Sequence, residues 1–499
     1  MKICLINPPI LFSKRSMQKE IEIFQPLGLA YIAAMLEKYN YEVSILDTIA
    51  EKYNKILEME GDLCSVGMTY EEIYSYIERD IPDVVGITIP FTAHSQSAFK
   101  VASIVKKVDK DIITIVGGSH PSVRPNECLI PSVDFVVIGE GEYTFLELIQ
   151  KIEKQKTVKN LNKNIFKEVK GIAFLNDGKT FVTKSRPFIE DLDSLPFPAR
   201  HLLPMQKYFE SQKDSKYSRG ISERNISIIT SRGCPFNCTF CSIHLTMGRK
   251  YRARSPKNVV DEIEQLINDY DIKHIEFEDD NLTLYRKRTE QICDEIIQRG
   301  LKFKWRTPNG VRADTLDEKL LRKMKKAGCY ELWFAPESGV QRVIDEVIHK
   351  HISLDKIMEN VKICLNLGIK VNCFLVIGLP GETKDEIRKT LYFARKLKKM
   401  GASFYINIAT PLYGTEFYNI AKEKGYLRDI TDENLIYNNG LYIDTPDFTA
   451  EEVFDFFKEG RRLKQGLDFN MSNIEYGIKH PVRLVKYVFR NLCELSRRR

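Results

Sequence analysis

The stretch Thr230–Cys241 reads TSRGCPFNCTFC and lies at the end of a short β-rich run that begins near residue 226. It places three cysteines, Cys234, Cys238 and Cys241, on one loop at the spacing C-x3-C-x2-C. A closed structural zinc site needs four protein ligands, and His244 is the one nearby candidate for the fourth. A four-iron cluster held by three thiolates leaves one iron open to bind a small molecule. The spacing therefore favours an iron–sulfur site over a zinc site.

Outward from this loop, β-rich runs alternate with predicted helices. The predicted strands lie near residues 226–231, 273–278, 303–307, 330–335, 370–377 and 402–409. Six strand–helix units predict a partial (β/α)6 barrel, two units short of a closed eight-stranded one. Active sites of such barrels lie at the carboxyl ends of the strands, and the cysteine loop follows the first of these ends.

The first 150 residues show a second alternating pattern. Predicted strands with almost continuous apolar residues occupy 2–8, 41–47, 83–89, 111–118 and 134–140. Strands that are buried on both faces are typical of a parallel sheet covered by helices. We therefore predict a doubly wound, flavodoxin-like α/β domain whose ligand crevice lies at the carboxyl ends of its strands.

The stretch between these two patterns is different in character. A hairpin is predicted at 171–184, and four prolines within 186–204 indicate a linker. The expected organisation is an N-terminal α/β domain (1–155), a hairpin and proline-rich linker (156–222), a partial barrel (223–415) and a helical C-terminal region with a basic tail (416–499).

The cysteine loop resembles the cluster loop of radical S-adenosylmethionine (SAM) enzymes, and the six-unit barrel is similar to theirs. The resemblance implies that Cys234, Cys238 and Cys241 are the catalytic metal ligands of a [4Fe–4S] cluster whose open iron binds SAM. It also implies that Phe240 lies near the adenine of SAM. One electron from the reduced cluster would split SAM into methionine and a 5′-deoxyadenosyl radical, while the protein orients the reactants and excludes water.

Three later strand ends resemble the SAM-binding segments of the same family. They are 276–281 (EFEDDN), 335–339 (APESG) and 377–383 (IGLPGET). The residues that the resemblance assigns to SAM are Asp279, Asp280, Glu337, Ser338 and Gly378. In the third segment Phe374 stands where the family has glycine, and the family's acid would fall on Gly381 and not on Glu382. The alternative for each acid is that it caps the helix that follows.

The N-terminal domain resembles the cobalamin-binding domain of B12-dependent radical SAM enzymes. The resemblance rests on the stretches PLGLA (26–30), GGSH (117–120) and GEGE (139–142). Glycines let the backbone approach a nucleotide tail, and the helix that follows offers its N-terminus to phosphate. The residues assigned to cobalamin are Gly117, Gly118, His120, Gly139, Glu140 and Gly141.

One departure concerns the lower ligand of cobalt. Cobalamin domains that ligate cobalt carry D-x-H-x-x-G after their first strand, and this chain has Asn7-Pro8-Pro9 there. That motif therefore supplies no histidine. His94 and His120 are the substitutes, although a lone histidine is more often a packing or surface residue. A degenerate domain that binds nothing is the alternative, because a fold alone does not establish function.

The charge of the chain is concentrated at one end. The net charge is +7, from 75 Lys and Arg against 68 Asp and Glu. Residues 461–499 hold ten basic and three acidic residues, so the first 460 residues carry no net charge. Val482, Val485, Phe489 and Leu492 share one face of a predicted basic helix. Such a helix either docks on the barrel or makes peripheral contact with an anionic membrane; with no aromatic stacking set, we expect no nucleic-acid partner.

The remaining features concern location. The N-terminus lacks a signal peptide pattern, no run of 18 apolar residues occurs, and eight of the eleven cysteines are scattered singly. We expect a cytoplasmic protein with peripheral contact at the inner membrane face.

The favoured function is that of a cobalamin-dependent radical SAM methyltransferase that acts on an unactivated carbon of a small-molecule or lipid substrate. The resemblance also implies a low-potential electron donor such as ferredoxin or flavodoxin. One alternative is a cyclase or rearrangement enzyme that resembles the anaerobic magnesium-protoporphyrin ester cyclases. The other is a non-catalytic, regulatory B12 and iron–sulfur binding protein.

Overall fold

The structure is a computed structural model that describes residues 1–13, 23–59, 63–155, 161–214, 224–428 and 440–465. The predicted basic helix at 482–492 lies outside the described residues.

The described residues of the N-terminal part form two sheets and six α-helices. Its strands are β1 (Lys2–Asn7), β2 (Ile10–Ser13), β3 (Glu42–Asp47), β4 (Ile56–Glu58), β5 (Leu63–Val66), β6 (Val84–Thr88), β7 (Ile113–Gly117), β8 (Phe135–Val137), β9 (Ile172–Asn176) and β10 (Lys179–Val182). Its helices are α1 (Leu27–Lys38), α2 (Thr48–Glu51), α3 (Tyr70–Arg79), α4 (Ser95–Val108), α5 (Ser119–Val123) and α6 (Gly141–Glu153).

The main sheet has the strand order β3-β1-β6-β7-β8, all parallel, followed by β9 and β10. This is the order of flavodoxin-like doubly wound domains, and the predicted fold class is confirmed. The order reverses direction between β1 and β6, where Asn7 and Thr88 end their strands. Ligands of such sheets bind outside the carboxyl ends of the strands at this reversal.

Strand β1 shows why helices cover both faces of the sheet. Ile3 and Leu5 are fully buried in one core together with residues of α1 and α6, whereas Cys4 and Ile6 are buried in a second core with residues of α3 and α4. Because successive side chains of a strand point to opposite faces, a nearly continuous apolar strand requires cover on both sides.

Two features differ from the sequence prediction. The hairpin β9–β10 pairs antiparallel with β8, so the main sheet continues to Val182, past the domain boundary expected at 155. A separate antiparallel sheet, β2-β5-β4, was not predicted. Its strands are only three or four residues long, too short for a period-two pattern to stand out.

The second part is the partial barrel. Its strands are β11 (Asn225–Ile228), β12 (Ser231–Arg232), β13 (Arg252–Ala253), β14 (His274–Phe277), β15 (Lys304–Val311), β16 (Cys329–Glu337), β17 (Lys370–Ile377) and β18 (Ser403–Ile408). Six of them form one parallel sheet in the order β11-β14-β15-β16-β17-β18. The predicted six-unit series is therefore confirmed, and β12 and β13 form a two-residue antiparallel ribbon beside it.

The remaining helices surround this sheet. They are α7 (Met205–Asp214), α8 (Ile243–Met247), α9 (Pro256–Tyr270), α10 (Arg286–Gln298), α11 (Glu318–Lys326), α12 (Leu354–Asn366), α13 (Lys384–Met400), α14 (Glu416–Glu423) and α15 (Ala450–Gln465). Shorter helical turns occupy Thr92–His94, Pro125–Cys128, Lys163–Glu168, Leu192–Ser194, Arg200–Leu202, Ala313–Thr315 and Val343–Val347.

Helix α15 packs against β18 and α13, at the last strand of the sheet. Within the described ranges, no helix combines the length and the apolar character that crossing a bilayer requires.

Candidate functional site

The cysteine loop connects β12 to β13. The two strands pair at Ser231 with Ala253 and at Arg232 with Arg252, which brings the ends of the loop together. Between them, Gly233 has φ +84°, and a Cβ there would overlap Lys250 O and lie 2.9 Å from Met247 O. Only glycine fits this position without strain.

A second set of contacts fixes the middle of the loop. The backbone N–H of Thr239 donates to Ile348 O at 3.0 Å, and its hydroxyl donates to Val347 O at 3.0 Å. Thr239 O in turn accepts from Phe417 N at 2.9 Å. One threonine between the second and third cysteines thus ties the loop to the segment after β16 and to α14.

The three thiols are half-buried and form no disulfide. Burial raises the pKa of all three, and that of Cys241 reaches about 11. The cations of Lys350 and Arg312 partly offset this effect, since each lowers the pKa of Cys234 and Cys238. A group that binds thiolates must displace these protons, and the two neighbouring cations stabilise the resulting negative charge.

The donor set fits a cluster better than a single ion. In the part of the chain that the structure describes, no three His, Cys, Asp or Glu side chains converge closely enough to hold one metal ion. A [4Fe–4S] cluster binds each thiolate through a different iron, so its ligands need not converge on one point. Three thiols and a pair of adjacent cations are suited to such an anionic cluster.

Lys350 and Arg312 belong to no motif, so the sequence alone did not point to them as site residues. Lys350 Nζ donates to Glu337 Oε1 at 2.7 Å, and both side chains are buried. The Arg312 guanidinium lies 3.7 Å from the ring centre of Phe236, which belongs to the cysteine loop. Glu337 raises the pKa of Cys238, so the structure places this predicted SAM residue beside the triad.

The two aspartates of the EFEDDN segment lie in different surroundings. Asp279 is buried, and its carboxylate accepts from the hydroxyls of Thr230, at 2.8 Å, and Ser231. The charge of Asp280 raises the pKa of Cys234 and Cys241. The Gly233 N–H donates a hydrogen bond to the Asp280 carboxylate. Burial and the charge of Asp279 raise the pKa of Asp280 to about 7. Of the two, Asp280 is the one near the cysteine loop.

The acids before them face the interior of the barrel. Glu276 accepts from Arg306 Nε at 2.6 Å and from Asn225 Nδ2 at 2.8 Å. Glu278 accepts from the Ser227 hydroxyl at 3.3 Å. Burial and the neighbouring charge of Glu276 raise the pKa of Glu278 to about 8, so it is mostly protonated at neutral pH. The sequence had not singled out Glu278.

The other residues assigned to SAM have internal partners. Phe240 is half-buried and packs against the main core. The Ser338 hydroxyl is fully buried, 3.0 Å from Thr390 Oγ1. Gly378 has φ +84° and donates its N–H to Glu382 Oε2 at 2.8 Å. Glu382 is thus the acid that holds this loop, one residue later than in the family pattern.

A cavity of about 1800 Å³ lies between the two parts of the chain. From the first part, Asn7 and Thr88 line it at the strand-order reversal. From the barrel, the polar lining residues include Ser227, Glu276, Glu278 and Arg306. The cavity thus occupies the crevice expected for a ligand of the doubly wound domain and continues into the barrel. The three loop cysteines do not line the cavity. Glu278 does line it, and Asp280, two residues later in the chain, lies near the cysteines.

Of the residues assigned to cobalamin, Gly118 lines this cavity, whereas Gly117, His120 and residues 139–141 do not. His94, named above as a substitute for the lower cobalt ligand, also lines the cavity. His120 is buried, with its Nδ1 3.1 Å from the Thr92 hydroxyl.

The carboxylate of Glu140 is directed to the barrel side. It accepts from Arg232 Nη1 at 3.0 Å and from Arg252 Nη1 at 2.7 Å. Glu142 accepts from Arg232 Nη2 at 2.6 Å. The GEGE stretch therefore contacts the two residues that flank the cysteine loop.

Comparison with protein families gives two matches. Residues 228–394 match the radical SAM superfamily, and residues 22–149 match the B12 binding domain.

Comparison with curated proteins gives relatives along most of the chain. The chain is 34% identical to the cytidylyl-2-hydroxyethylphosphonate methyltransferase of Streptomyces wedmorensis, across 94% of this chain and 90% of that protein. It is also 34% identical to an uncharacterized methyltransferase of Pyrococcus horikoshii, across 84% of this chain and 83% of that protein.

A solved structure shares the fold. It is the radical S-adenosylmethionine methyltransferase TsrM from Kitasatospora setae with cobalamin and a [4Fe–4S] cluster bound. The TM-score is 0.65 at 17% identity, with 86% of this chain and 80% of that chain covered.

Proposed function

Because this chain belongs to the cobalamin-dependent radical SAM methyltransferases, whose cofactors are a [4Fe–4S] cluster, SAM and cobalamin, we propose that it methylates an unactivated carbon of a lipid-like substrate. The chain is an enzyme of this family, and the proposal concerns its substrate and its site residues.

The observation that carries the proposal is the cavity that the two parts of the chain share. Its volume of about 1800 Å³ exceeds the roughly 300–1000 Å³ of ordinary small-molecule pockets. A corrin held at the ends of β1 and β6 would leave space in the barrel part of the cavity for a substrate. Methyl transfer between two bound molecules requires this proximity, because holding reactants side by side removes most of the entropic barrier.

The lining of the cavity supports a lipid-like substrate. Phe24 and Phe91 line it and are 54% and 66% exposed, so a large apolar ligand would cover surface that is otherwise in water. At the α15 side, Arg461 and Lys464 also line it. Apolar walls together with two cations suit a molecule with an apolar body and an anionic group. The Streptomyces relative is named for a substrate that carries a phosphonate, which is one such anion.

We assign Cys234, Cys238 and Cys241 to the cluster, with Asp280 and Glu337 beside the loop as contacts for SAM. When bound, the reduced cluster supplies the electron that cleaves SAM, and cobalamin carries the methyl group. With its pKa near 7, Asp280 exists both protonated and ionised at neutral pH, so it can donate or accept a hydrogen bond. The electron comes from a low-potential donor such as ferredoxin or flavodoxin.

The test measures the products of SAM. The protein is purified without oxygen, reconstituted with iron, sulfide and cobalamin, and incubated with methyl-deuterated SAM and a reductant. The lipid and aqueous fractions of a cell extract are supplied separately as substrate. Formation of both 5′-deoxyadenosine and S-adenosylhomocysteine, with deuterium in the lipid fraction, supports the proposal. Deuterium in the aqueous fraction alone contradicts a lipid-like substrate, and 5′-deoxyadenosine without S-adenosylhomocysteine indicates a cyclase or rearrangement.

Matched cysteine variants test the cluster assignment. Cys238→Ala should abolish the iron–sulfur absorption and all 5′-deoxyadenosine. Cys293→Ala removes a buried thiol of α10 and should leave the absorption unchanged. Absorption that survives in Cys238→Ala would refute the assignment.

A further inference from the structure

One carboxylate of the first domain reaches both ends of the cysteine loop. Glu140 Oε1 accepts from Arg232, two residues before the first cysteine, and from Arg252, where β13 begins after the loop. We propose that Glu140 is a positioning residue that fixes the cysteine loop against the first domain, and that it does not bind cobalamin. The proposal goes beyond the substrate assignment above and is independent of it.

The contacts of Glu140 leave little capacity for another ligand. Its Oε2 accepts from the Ile189 N–H of the linker at 2.7 Å and from Arg252 Nη1 at 3.0 Å. Both oxygens therefore already accept two hydrogen bonds each. Arg252 extends the same set, since it donates to Ile189 O at 2.7 Å and to Met247 O at 2.8 Å. The linker and both ends of the loop meet at one carboxylate, and Arg252 also contacts the loop itself.

The charges in this cluster balance. Two acids, Glu140 and Glu142, face two arginines, Arg232 and Arg252, and each of the four side chains is at least nine-tenths buried. Arginine keeps its charge at physiological pH, so Arg232 pairs with both glutamates as a cation. Arginine forks bind carboxylates with fixed geometry, so the cluster constrains orientation as well as distance.

The cluster adds to other contacts at the ends of the loop, where Thr230 and Ser231 donate to Asp279 and the Gly233 N–H donates to Asp280. Only two residue pairs join β12 to β13. Residues 233–251 between them hold the three cysteines. A shift of either arginine would move the first cysteine relative to the other two, and cluster retention requires all three thiolates in place.

The experiment compares the reconstituted holoenzyme with its Glu140→Gln variant. Glutamine keeps the shape but loses the charge, and with it the charge-assisted hydrogen bonds to both arginines. We expect iron to be lost to a chelator about ten-fold faster. We also expect the electron paramagnetic resonance signal of the reduced cluster, in the presence of SAM, to broaden. The Kd for cobalamin, measured by spectrophotometric titration, should not change.

The opposite pattern overturns the proposal. Weaker cobalamin binding with normal cluster retention would show that Glu140 is a cobalamin contact. Unchanged values of both quantities would show that it does not position the loop.

Two further variants make the test specific. Glu147, on the same helix α6, pairs with Arg186 of the linker but makes no contact with the loop, so Glu147→Gln should lose iron at the wild-type rate. Arg252→Gln removes the cation that bonds both Glu140 oxygens, Ile189 O and Met247 O, so it should lose iron at least as fast as Glu140→Gln. Iron loss at the wild-type rate in Arg252→Gln would contradict the role given to the cluster. If Glu140→Gln does not fold, Glu140→Asp is tested in its place. Full iron retention in Glu140→Asp would then contradict the proposal.

Discussion

Lys350 Nζ lies 2.7 Å from Glu337 Oε1, and this buried ion pair stands beside the cysteine loop. The backbone around it is unusual. Glu337 has φ +65°, and the residues on both sides of Lys350, His349 and His351, have φ +59° and +49°. Non-glycine residues in this region cost about 1–3 kcal/mol each and persist where surrounding contacts hold them. The ion pair is one such contact.

Replacing Lys350 with methionine should leave the Glu337 charge buried without its partner. We expect a loss of about 3–5 kcal/mol in the free energy of unfolding, measured by urea denaturation. Adding Glu337→Gln should recover part of this loss. The matched control is Lys356→Met, which breaks a half-exposed pair with Glu359 and should cost less than about 1 kcal/mol. Equal effects of the two lysine substitutions would contradict the role given to Lys350.

Replacing Gly233 with alanine should prevent the cysteine loop from closing. The added Cβ meets Lys250 O and Met247 O in a left-handed backbone, so the first cysteine must move. We expect the iron content after reconstitution to fall several-fold. Gly300, with φ +65° and no atom within 4 Å of an added Cβ, is the control, and alanine there should cost only about 1 kcal/mol in stability. Full iron content in Gly233→Ala would show that the loop tolerates the shift.

The stability of the protein should depend on pH through Glu382. Burial raises the pKa of this acid to about 8, whereas in the unfolded chain it is about 4.3. Between these values the unfolded state binds fewer protons, so the contribution of Glu382 falls as pH rises and is lost above about 8. Glu382→Gln keeps an oxygen for Gly378 N–H and does not titrate. The variant should therefore gain stability relative to wild type from pH 5 to pH 8, in urea titrations.

Glu386 provides a control of opposite sign for that experiment. Arg342 and the Thr383 N–H lower its pKa to about 2 in spite of burial, so its contribution is present above about 4.3 and lost as pH falls toward 2. The stability difference between Glu386→Gln and wild type should change less from pH 5 to pH 8 than that of Glu382→Gln, and the remaining change reflects the contribution of the Glu386 charge to the raised pKa of Glu382. A slope in this window equal to that of Glu382→Gln would contradict both assignments.

Removal of residues 481–499 should abolish binding to liposomes that contain phosphatidylglycerol and leave SAM cleavage intact. Each basic residue near an anionic surface contributes about 1 kcal/mol of attraction, and this segment is rich in arginine. Vesicles of phosphatidylcholine alone are the control. Binding that persists in the shortened protein would favour a helix docked on the barrel.

Local patterns were sufficient to predict the strand–helix series and the cysteine loop, because each rests on neighbouring residues. Contacts between distant residues were not predictable in this way. Glu140 and Arg232 are 92 positions apart, and nothing in a single sequence pairs them. The sequence therefore assigns Gly139, Glu140 and Gly141 together to cobalamin, whereas the carboxylate of Glu140 contacts two arginines of the barrel.

The alternation of side chains along the EFEDDN segment is a sequence signal that could have separated its acids into two sets. Side chains alternate between the two faces of a strand, so Glu276, Glu278 and Asp280 belong to one set and Asp279 to the other. The structure follows this rule, with Asp279 bonded internally to Thr230 and Asp280 near the cysteines. Alternation alone does not tell which of the two sets faces the ligand, because that depends on how the barrel packs.

The buried charges at Glu140, Glu142, Arg232 and Arg252 have a consequence for protein engineering. The acids come from one domain and the arginines from the other, so neither domain can be produced alone without presenting a charged surface where a neutral contact stood. A chimera that joins this N-terminal domain to a foreign barrel needs both arginines in register. We therefore expect the two domains to work as a matched pair and not as interchangeable modules.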